Sequence, residues 1–127
     1  MRLLLDTHTV LWFFDDVKKL SETAYKAILN LENEKYISIA SAWEMAIKIS
    51  LNKLHFQGGT ANFFAVAEES GFIMLSIKDE YVKLVESLPF HHRDPFDRML
   101  IASAISEGMF LVSTDTNIQK YDATVIW

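Results

Sequence analysis

The chain has 127 residues, of which 50% are hydrophobic, and its formal net charge is −5. This is the length of one domain, and the hydrophobic content is enough to bury roughly two-thirds of the unfolded surface in a single core. The absence of cysteine excludes disulfides, zinc–thiolate sites and a cysteine nucleophile. The negative charge argues against a basic module that binds nucleic acid by phosphate neutralisation alone. It does not exclude an enzyme whose bound cations meet the phosphates.

The first residues contain no targeting signal. Three leucines separate Arg2 from Asp6, and this apolar segment is too short for a signal peptide. No apolar run approaches the ~18 residues that a bilayer span requires. We therefore expect a soluble, cytoplasmic protein that does not contact a membrane.

Five short apolar runs alternate with helix-like segments along the chain. The runs cover residues 3–5, 36–40, 72–76, 109–113 and 123–127, and one of the intervening helices is predicted over about 60–69. Strands that alternate with helices indicate an α/β fold with a parallel sheet covered on both faces. No repeat or linker divides the chain, so we predict a single domain over residues 1–127.

Helix starts are marked by capping residues. Ser21 precedes apolar residues at helical spacing, and Ser41 with Glu44 matches a capping box. Asp94 followed by Pro95 is typical of an N-cap with proline at the first helical position. These signals predict helices that begin just after residues 21, 41 and 94.

Four carboxylates lie at strand ends or in first helical turns: Asp6, Glu44, Asp97 and Asp115. Each has an ordinary alternative, since Glu44 and Asp97 can cap their own helices and Asp6 and Asp115 can form turns. Together, however, they are expected at the sheet edge where ligand crevices form. Clustered carboxylates raise one another's pKa, and a bound cation offsets that cost. Oxygen ligands favour Mg²⁺ or Mn²⁺, and such ions can flank a phosphodiester, so we predict a metal-dependent phosphodiesterase.

Several charged neighbours of these acids are candidates for supporting roles. Asp94 is expected to be structural, and Arg98, four residues on, is expected to pair with it on the helix surface or to hold a phosphate. Arg93, Lys48 and Lys53 are further candidates for holding the phosphates of a substrate. The alternative for these cations is a solvated helix face.

The aromatic and histidine residues are expected to be mainly structural. We predict a loop or structural role for His91 and His92, while His8 is a candidate for lining the site. The cluster at residues 12–14 is expected to pack in the core, with an interface to a second copy or to a protein partner as the alternative. Trp43 is expected to pack against the sheet rather than to stack on a base.

The motifs together resemble the PIN-domain family, and within it the VapC-type toxins of bacterial toxin–antitoxin pairs. The resemblance covers essentially the whole chain and is carried by Leu3-Leu4-Leu5-Asp6-Thr7-His8, by residues 38–48 with Lys53-Leu54, by His92-Arg93-Asp94-Pro95-Phe96-Asp97-Arg98, and by Leu111-Val112-Ser113-Thr114-Asp115. One departure is Asn52, where many relatives have glycine; asparagine tolerates the left-handed conformation.

The resemblance implies a three-layer α/β/α fold with a central, mainly parallel five-stranded sheet. It also implies an endoribonuclease that depends on Mg²⁺ or Mn²⁺, with a metal-activated water attacking RNA. The residues that match the family's acids are Asp6, Glu44, Asp97 and Asp115, and Thr114 matches the Ser/Thr before the last acid. Proteins of this type are usually homodimers, silenced by a cognate VapB-like antitoxin whose C-terminal segment covers the site.

Two other function classes are weighed against this one. An aspartyl-phosphate phosphatase needs an acid two positions after Asp6, where this chain has His8, and a receiver domain needs a lysine directly after the 109–113 strand, where the next lysine is Lys120. A non-catalytic binding module, whose acids only cap helices, would bind no divalent metal above a surface background.

Overall fold

The computed structural model describes all residues, 1–127, as five strands and six α-helices. In chain order these are β1 (Arg2–Leu5), α1 (Thr7–Asp15), α2 (Glu22–Leu29), β2 (Glu34–Ser38), α3 (Ile39–Ser50), α4 (Gly59–Glu69), β3 (Ile73–Leu75), α5 (Asp79–Ser87), α6 (Pro95–Glu107), β4 (Phe110–Val112) and β5 (Val125–Ile126). Short 3₁₀ helices cover Val17–Lys19 and Ile118–Lys120. None of the helices combines the length and apolarity that a bilayer span requires.

The five strands form one sheet in the order β3-β2-β1-β4-β5, and every pairing is parallel. The first strand lies at the centre, with β2 on one side and β4 on the other. The strand order therefore reverses at β1, and the loops after β1 and β4 diverge to leave a crevice at their carboxyl ends. The predicted α/β fold with a central parallel sheet is confirmed.

Helices cover both faces of the sheet, because the strand side chains alternate between two cores. Leu3 and Leu5 belong to a cluster of 14 buried residues with α1 to α4, whereas Leu4 belongs to a cluster of 12 with α5 and α6. Both faces of β1 are thus apolar, as the run of three leucines predicts. The result is the three-layer α/β/α arrangement.

The second strand ends earlier than predicted. Ser38 is its last residue and also the N-cap of α3, where its hydroxyl accepts a hydrogen bond from the backbone N–H of Ala40. The predicted capping box at Ser41 and Glu44 is therefore wrong, because both residues lie inside the helix and are buried. The strand passes directly into the helix, so the cap is the serine nearer to the strand.

The start of α6 matches the prediction. The Asp94 side chain accepts hydrogen bonds from the backbone N–H groups of Phe96 and Asp97, and Pro95 is the first helical residue. The helix ends at Gly108, whose φ of 66° is left-handed. Glycine adopts this conformation without steric cost and turns the chain into β4. The predicted Ser21 cap of α2 is also confirmed.

The predicted Asp94–Arg98 ion pair is wrong. Arg98 is only 5% exposed, and its guanidinium donates to the carbonyl oxygens of Val85 at 3.0 Å and Pro89 at 2.8 Å and to the Tyr121 hydroxyl at 3.2 Å. A long helical side chain leans towards the helix N-terminus. There Arg98 meets the segment that joins α5 to α6 rather than solvent, so it is a buried structural cation.

The aromatic residues after β1 pack as predicted, but Trp43 does not. Phe13 and Phe14 contact Phe72 edge-on, with ring centroids 5.6 and 5.8 Å apart, and both pack against the larger core cluster. Trp43 is 61% exposed and contacts Phe96 at a centroid distance of 5.4 Å. It lies on the outer face of α3, so the expectation that it packs against the sheet is wrong.

Candidate functional site

An acidic cavity lies at the carboxyl ends of β1 and β4, in the crevice where the strand order reverses. Its volume is about 290 Å³, and its walls are formed by Asp6, His8, Trp12, Asp97, Thr114 and Asp115. Three of the four predicted acids thus meet in one cavity, although they come from the beginning, the middle and the end of the domain. We call this space the acidic cavity.

Asp6 connects the central strand to α1. Its backbone N–H donates to the carbonyl oxygen of Val112 at 3.1 Å, which fixes it against β4. Its side chain caps α1, since Oδ1 accepts from the backbone N–H of Thr9 at 2.8 Å. The residue is only 4% exposed, and Oδ2 receives no hydrogen bond from the protein. Asp6 is therefore a rigid carboxylate with one oxygen free for a ligand.

Asp97 and Asp115 face each other across a histidine. The imidazole Nε2 of His92 lies 3.1 Å from Oδ2 of Asp97 and 3.1 Å from Oδ2 of Asp115. Asp94 donates its backbone N–H to Nδ1 of His92, so the proton of a neutral ring is on Nε2 and is directed at the two carboxylates. The three side chains form a cluster with metal-ligand spacing, in which all three donor atoms lie within 4.8 Å of one another.

His92 is the residue of this cluster whose role was underestimated from the sequence. A loop position next to another histidine carries no periodicity, so nothing local distinguishes His92 from His91. What separates the two is the spacing to the N-cap residue. His92 lies two positions before Asp94, so its ring can accept a hydrogen bond from the Asp94 backbone N–H at the start of α6. The Asp94 backbone N–H on one side of the ring and the two carboxylates on the other fix its orientation.

Burial and, after it, the negative charges of Asp94, Asp6 and Glu44 together raise the pKa of Asp97 to about 7, while His92 opposes the shift. A carboxyl group with this pKa exchanges its proton near neutrality. The neighbouring carboxylates therefore lie close enough to Asp97 to penalise its charge. A divalent cation is the ligand that relieves this repulsion most directly.

Glu44 lies beside the acidic cavity rather than on its wall. It is 5% exposed; Oε1 accepts from the Thr7 hydroxyl at 2.7 Å, and Oε2 accepts from the Lys48 ammonium at 2.9 Å. The Thr7 hydroxyl also lies 2.9 Å from Oγ of Ser41. Thr7 was missed by the sequence analysis, and its position directly after Asp6 is the only signal. The capping alternative for Glu44 is wrong, because its carboxylate contacts other elements.

The turn that carries Asp115 is held by its own carboxylate. Oδ1 accepts from the backbone N–H of Asn117 at 2.8 Å, and the Asp115 backbone N–H donates to Oγ of Ser113 at 3.0 Å. Asp115 therefore has both predicted roles: its Oδ1 holds the turn, and its Oδ2 faces His92 in the site. Thr114 is exposed and lines the acidic cavity.

The cations that were predicted to hold phosphates do not line the acidic cavity. Lys48 is engaged by Glu44, whereas Arg93 is exposed in the segment before α6 and forms no ion pair. Arg98 does not reach the acidic cavity, but it holds the segment that carries His92. Its contact with the Tyr121 hydroxyl matters here, because that hydroxyl also accepts from the His92 backbone N–H at 2.9 Å.

Comparisons with known proteins agree with this architecture. The sequence model of the PIN domain matches residues 3–124. No curated protein matches the chain significantly by sequence.

Several solved structures share the fold at low sequence identity. VapBC2 from Rickettsia felis, bound to a DNA fragment from its promoter, has a TM-score of 0.76 and 14% identity over 99% of this chain and 98% of that chain. VapBC-1 from nontypeable Haemophilus influenzae has a TM-score of 0.71 and 15% identity, covering 99% and 97%. A toxin–antitoxin complex from Klebsiella pneumoniae has a TM-score of 0.65 and 16% identity, covering 98% and 96%.

Proposed function

The chain belongs to the PIN-domain family, and from this premise we propose that it is a VapC-type toxin, an endoribonuclease that depends on Mg²⁺ or Mn²⁺. The whole chain, residues 1–127, would be one PIN domain. The observation that carries the proposal is the acidic cavity, where Asp6, Asp97 and Asp115 meet at the carboxyl edge of a parallel sheet.

The residues present fit a hard divalent cation. The donors are carboxylate oxygens, which suit Mg²⁺ and Mn²⁺ better than softer metals. Asp6 has one oxygen without a protein donor, and the raised pKa of Asp97 reflects first its burial and then the negative charge of its neighbours. Asp6, Asp97 and Asp115 would hold the metal directly, with Glu44 as the fourth acid. A bound ion of this kind would activate water and stabilise the leaving oxygen of a phosphodiester.

The other side chains of the site position these ligands. Asp94 caps α6 and so fixes the turn that carries Asp97, while Arg98 and Tyr121 hold the preceding segment. Lys48 neutralises Glu44 and lies where it can also meet a phosphate, and Arg93 is a second proposed RNA contact. Thr114, on the exposed wall, is positioned to hydrogen-bond a phosphate or its water.

The partners follow from the same proposal. Structures with this fold include a toxin–antitoxin complex and VapBC complexes, which supports an antitoxin as the physiological partner of this chain. We further propose a homodimer as the active form and RNA as the substrate. A dimer would place two acidic cavities on one particle for a single antitoxin assembly to cover.

The test is RNA cleavage by the purified protein with added Mg²⁺. Asp6→Asn, Glu44→Gln and Asp97→Asn are expected to lower the cleavage rate by about two orders of magnitude or more while circular dichroism stays unchanged. Glu69→Gln, which removes an exposed carboxylate at the end of α4, is the matched control and should cleave at the wild-type rate. If all three site variants cut RNA like the wild type, the assignment is wrong.

Calorimetric titration with Mn²⁺ separates the enzyme from a binding module whose acids only stabilise helices. The wild type is expected to bind Mn²⁺ at a discrete site, and Asp6→Asn should lose most of that affinity. Equal, weak heats for both proteins would favour the binding module.

A further inference from the structure

A second cavity, of about 340 Å³, lies next to the acidic cavity, between α1 and the C-terminal part of α3. Its walls carry three lysines, Lys19, Lys48 and Lys53, and it shares His8 and Trp12 with the acidic cavity. We call it the lysine groove. The proposed activity assigns it no role beyond the phosphate contact of Lys48.

The two shared residues form an aromatic ridge between the cavities, which we call the His8–Trp12 ridge. They lie four residues apart on α1, so both side chains lie on one face of the helix. Their ring centroids are 5.8 Å apart, and Trp12 is held edge-on by Trp127 at 5.9 Å. His8 is exposed, whereas Trp12 is partly buried against the core. The ridge thus offers aromatic surface on a rigid base.

Lys53 is placed at the groove by the way α3 ends. Asn52 adopts a left-handed φ of 56°, and the Lys53 backbone N–H donates to the carbonyl oxygen of Lys48 at 2.8 Å. With the Asn52 N–H on the carbonyl oxygen of Ile49, these bonds form a Schellman motif. The chain therefore reverses over the last turn of the helix and brings Lys53 next to Lys48.

The three lysines differ in their partners. Lys48 is paired with Glu44 at 2.9 Å, and Lys19 lies 3.8 Å from Asp16 and 5.9 Å from the centre of the Trp12 ring. The Lys53 ammonium forms neither an ion pair nor a hydrogen bond within the protein. Lys53 is therefore a free cation that can attract an anion, although the chain as a whole has a net charge of −5.

We propose that the His8–Trp12 ridge and the lysine groove bind the single-stranded RNA next to the scissile phosphate. This inference rests on the proposed ribonuclease function. A strand with one phosphate at the acidic cavity must cross the ridge to enter the groove. One base stacks on the ridge, and the following phosphate meets Lys53 and Lys48. Base stacking on aromatic rings combined with cations along the backbone is the general pattern of single-strand binding.

The groove holds only a short stretch of RNA. Its far end carries Asp15 and Asp16, and Asp15 lies about two helical turns from His8. These carboxylates repel further phosphates, so the groove takes one or two nucleotides. Because every base presents a π-face, stacking on the ridge contributes affinity without sequence preference. Sequence selection must then come from contacts elsewhere on the strand.

The experiment measures binding separately from cleavage. The probe is a fluorescein-labelled octauridylate, titrated by anisotropy in EDTA over a series of salt concentrations. Lys53→Ala is expected to weaken binding about fivefold to tenfold at low salt and to lower the slope of log affinity against log salt by about 0.7. His8→Ala is expected to weaken binding about threefold, because it removes a stacking surface.

Lys83→Ala is the matched control. Lys83 is an exposed lysine of α5, on the opposite face of the sheet, and its removal changes the net charge equally. Its affinity and salt slope should equal those of the wild type. If Lys53→Ala behaves like this control, the inference is overturned. In that case, weaker binding of an octaglutamate peptide by Lys53→Ala would assign the groove to an acidic protein segment instead.

Binding and cleavage results together distinguish a failure of the groove proposal from a failure of the proposed function. A wild-type protein that cleaves RNA with Mg²⁺, together with a Lys53→Ala variant that binds octauridylate normally, rejects only the groove. A wild-type protein that binds octauridylate through Lys53 and cleaves nothing with Mg²⁺ or Mn²⁺ rejects the ribonuclease. Absence of octauridylate binding by the wild type rejects the RNA groove as well.

Discussion

Replacing Asp97 by asparagine is expected to stabilise the metal-free protein at pH 8. Burial and the neighbouring carboxylates raise the pKa of Asp97 from 3.8 to about 7 in the folded protein. The folded state therefore binds more protons than the unfolded state between these two values, and its stability falls as the pH rises from about 4 to about 7. Above pH 7 the full cost of the buried charge is present.

The structure bounds the size of this effect. A shift of about three pKa units corresponds to ~4 kcal/mol at the most, but the Asp97 side chain is 20% exposed, so solvent reduces the cost. Loss of the negative charge from the first turn of α6 opposes the gain by ~0.3–1 kcal/mol. Asparagine keeps the shape and an acceptor oxygen for His92. We expect a net stabilisation of ~1–2 kcal/mol at pH 8 and none at pH 4.

The assay is urea unfolding followed by tryptophan fluorescence, in EDTA, at pH 4 and at pH 8. Asp79→Asn is the matched control, because Asp79 is an exposed acid in the first turn of α5, and it should not gain stability at pH 8. Added Mg²⁺ should stabilise the wild type and not Asp97→Asn. If Asp97→Asn is less stable than the wild type by the same amount at both pH values, the like-charge argument is refuted.

Three further substitutions test the supporting structure by urea unfolding. Asp94→Ala removes the α6 cap and should lower the free energy of unfolding by ~1–2 kcal/mol. A decrease of less than a few tenths of a kcal/mol would mean that the cap is redundant. Arg98→Lys should cost ~3 kcal/mol or more, because an ammonium cannot reach the carbonyls that the guanidinium bridges, and wild-type stability would show that the bridging is dispensable. Asn52→Gly should stabilise by a few tenths of a kcal/mol while Asn52→Ala destabilises, since φ is 56°; equal stabilities would argue against a strained turn.

The parts of the fold that were predictable are those set by local chemistry. The three leucines of β1, buried on both faces, identify a central parallel strand without knowledge of its neighbours. Asp94 and Pro95 specify the start of α6 almost alone, because a cap needs only the first turn of its helix. The strand-end position of Asp6 followed in the same way from the abrupt end of an apolar run.

The parts that were missed depend on tertiary neighbours. Only Ser41 was predicted to cap α3, whereas the cap is Ser38, because the start of the helix depends on where β2 stops pairing with β3. The partners of Arg98 lie in the last turn of α5 and in the segment after it. The pair with Asp94 was wrong because it was predicted from the spacing within α6 alone. Trp43 lies on the outer face of α3, where it contacts Phe96 but stays 61% exposed, and no property of tryptophan reveals that. The prediction of a single domain over the whole chain stays a prediction.

The position of β1 in the sheet also has a consequence for the order in which the protein is made. This strand is synthesised before its neighbour β2 and well before its other partner β4, which follows α6 in the chain. A ribosome that has finished α6 has made Asp6, Glu44 and Asp97, but neither β4 nor Asp115. Until β4 docks, the central strand has an open edge, the backbone of Asp6 has no Val112 to bind, and the acidic cavity has no far wall. The acidic cavity is therefore complete only after β4 and Asp115 have joined the sheet, and the proposed nuclease would become competent only then.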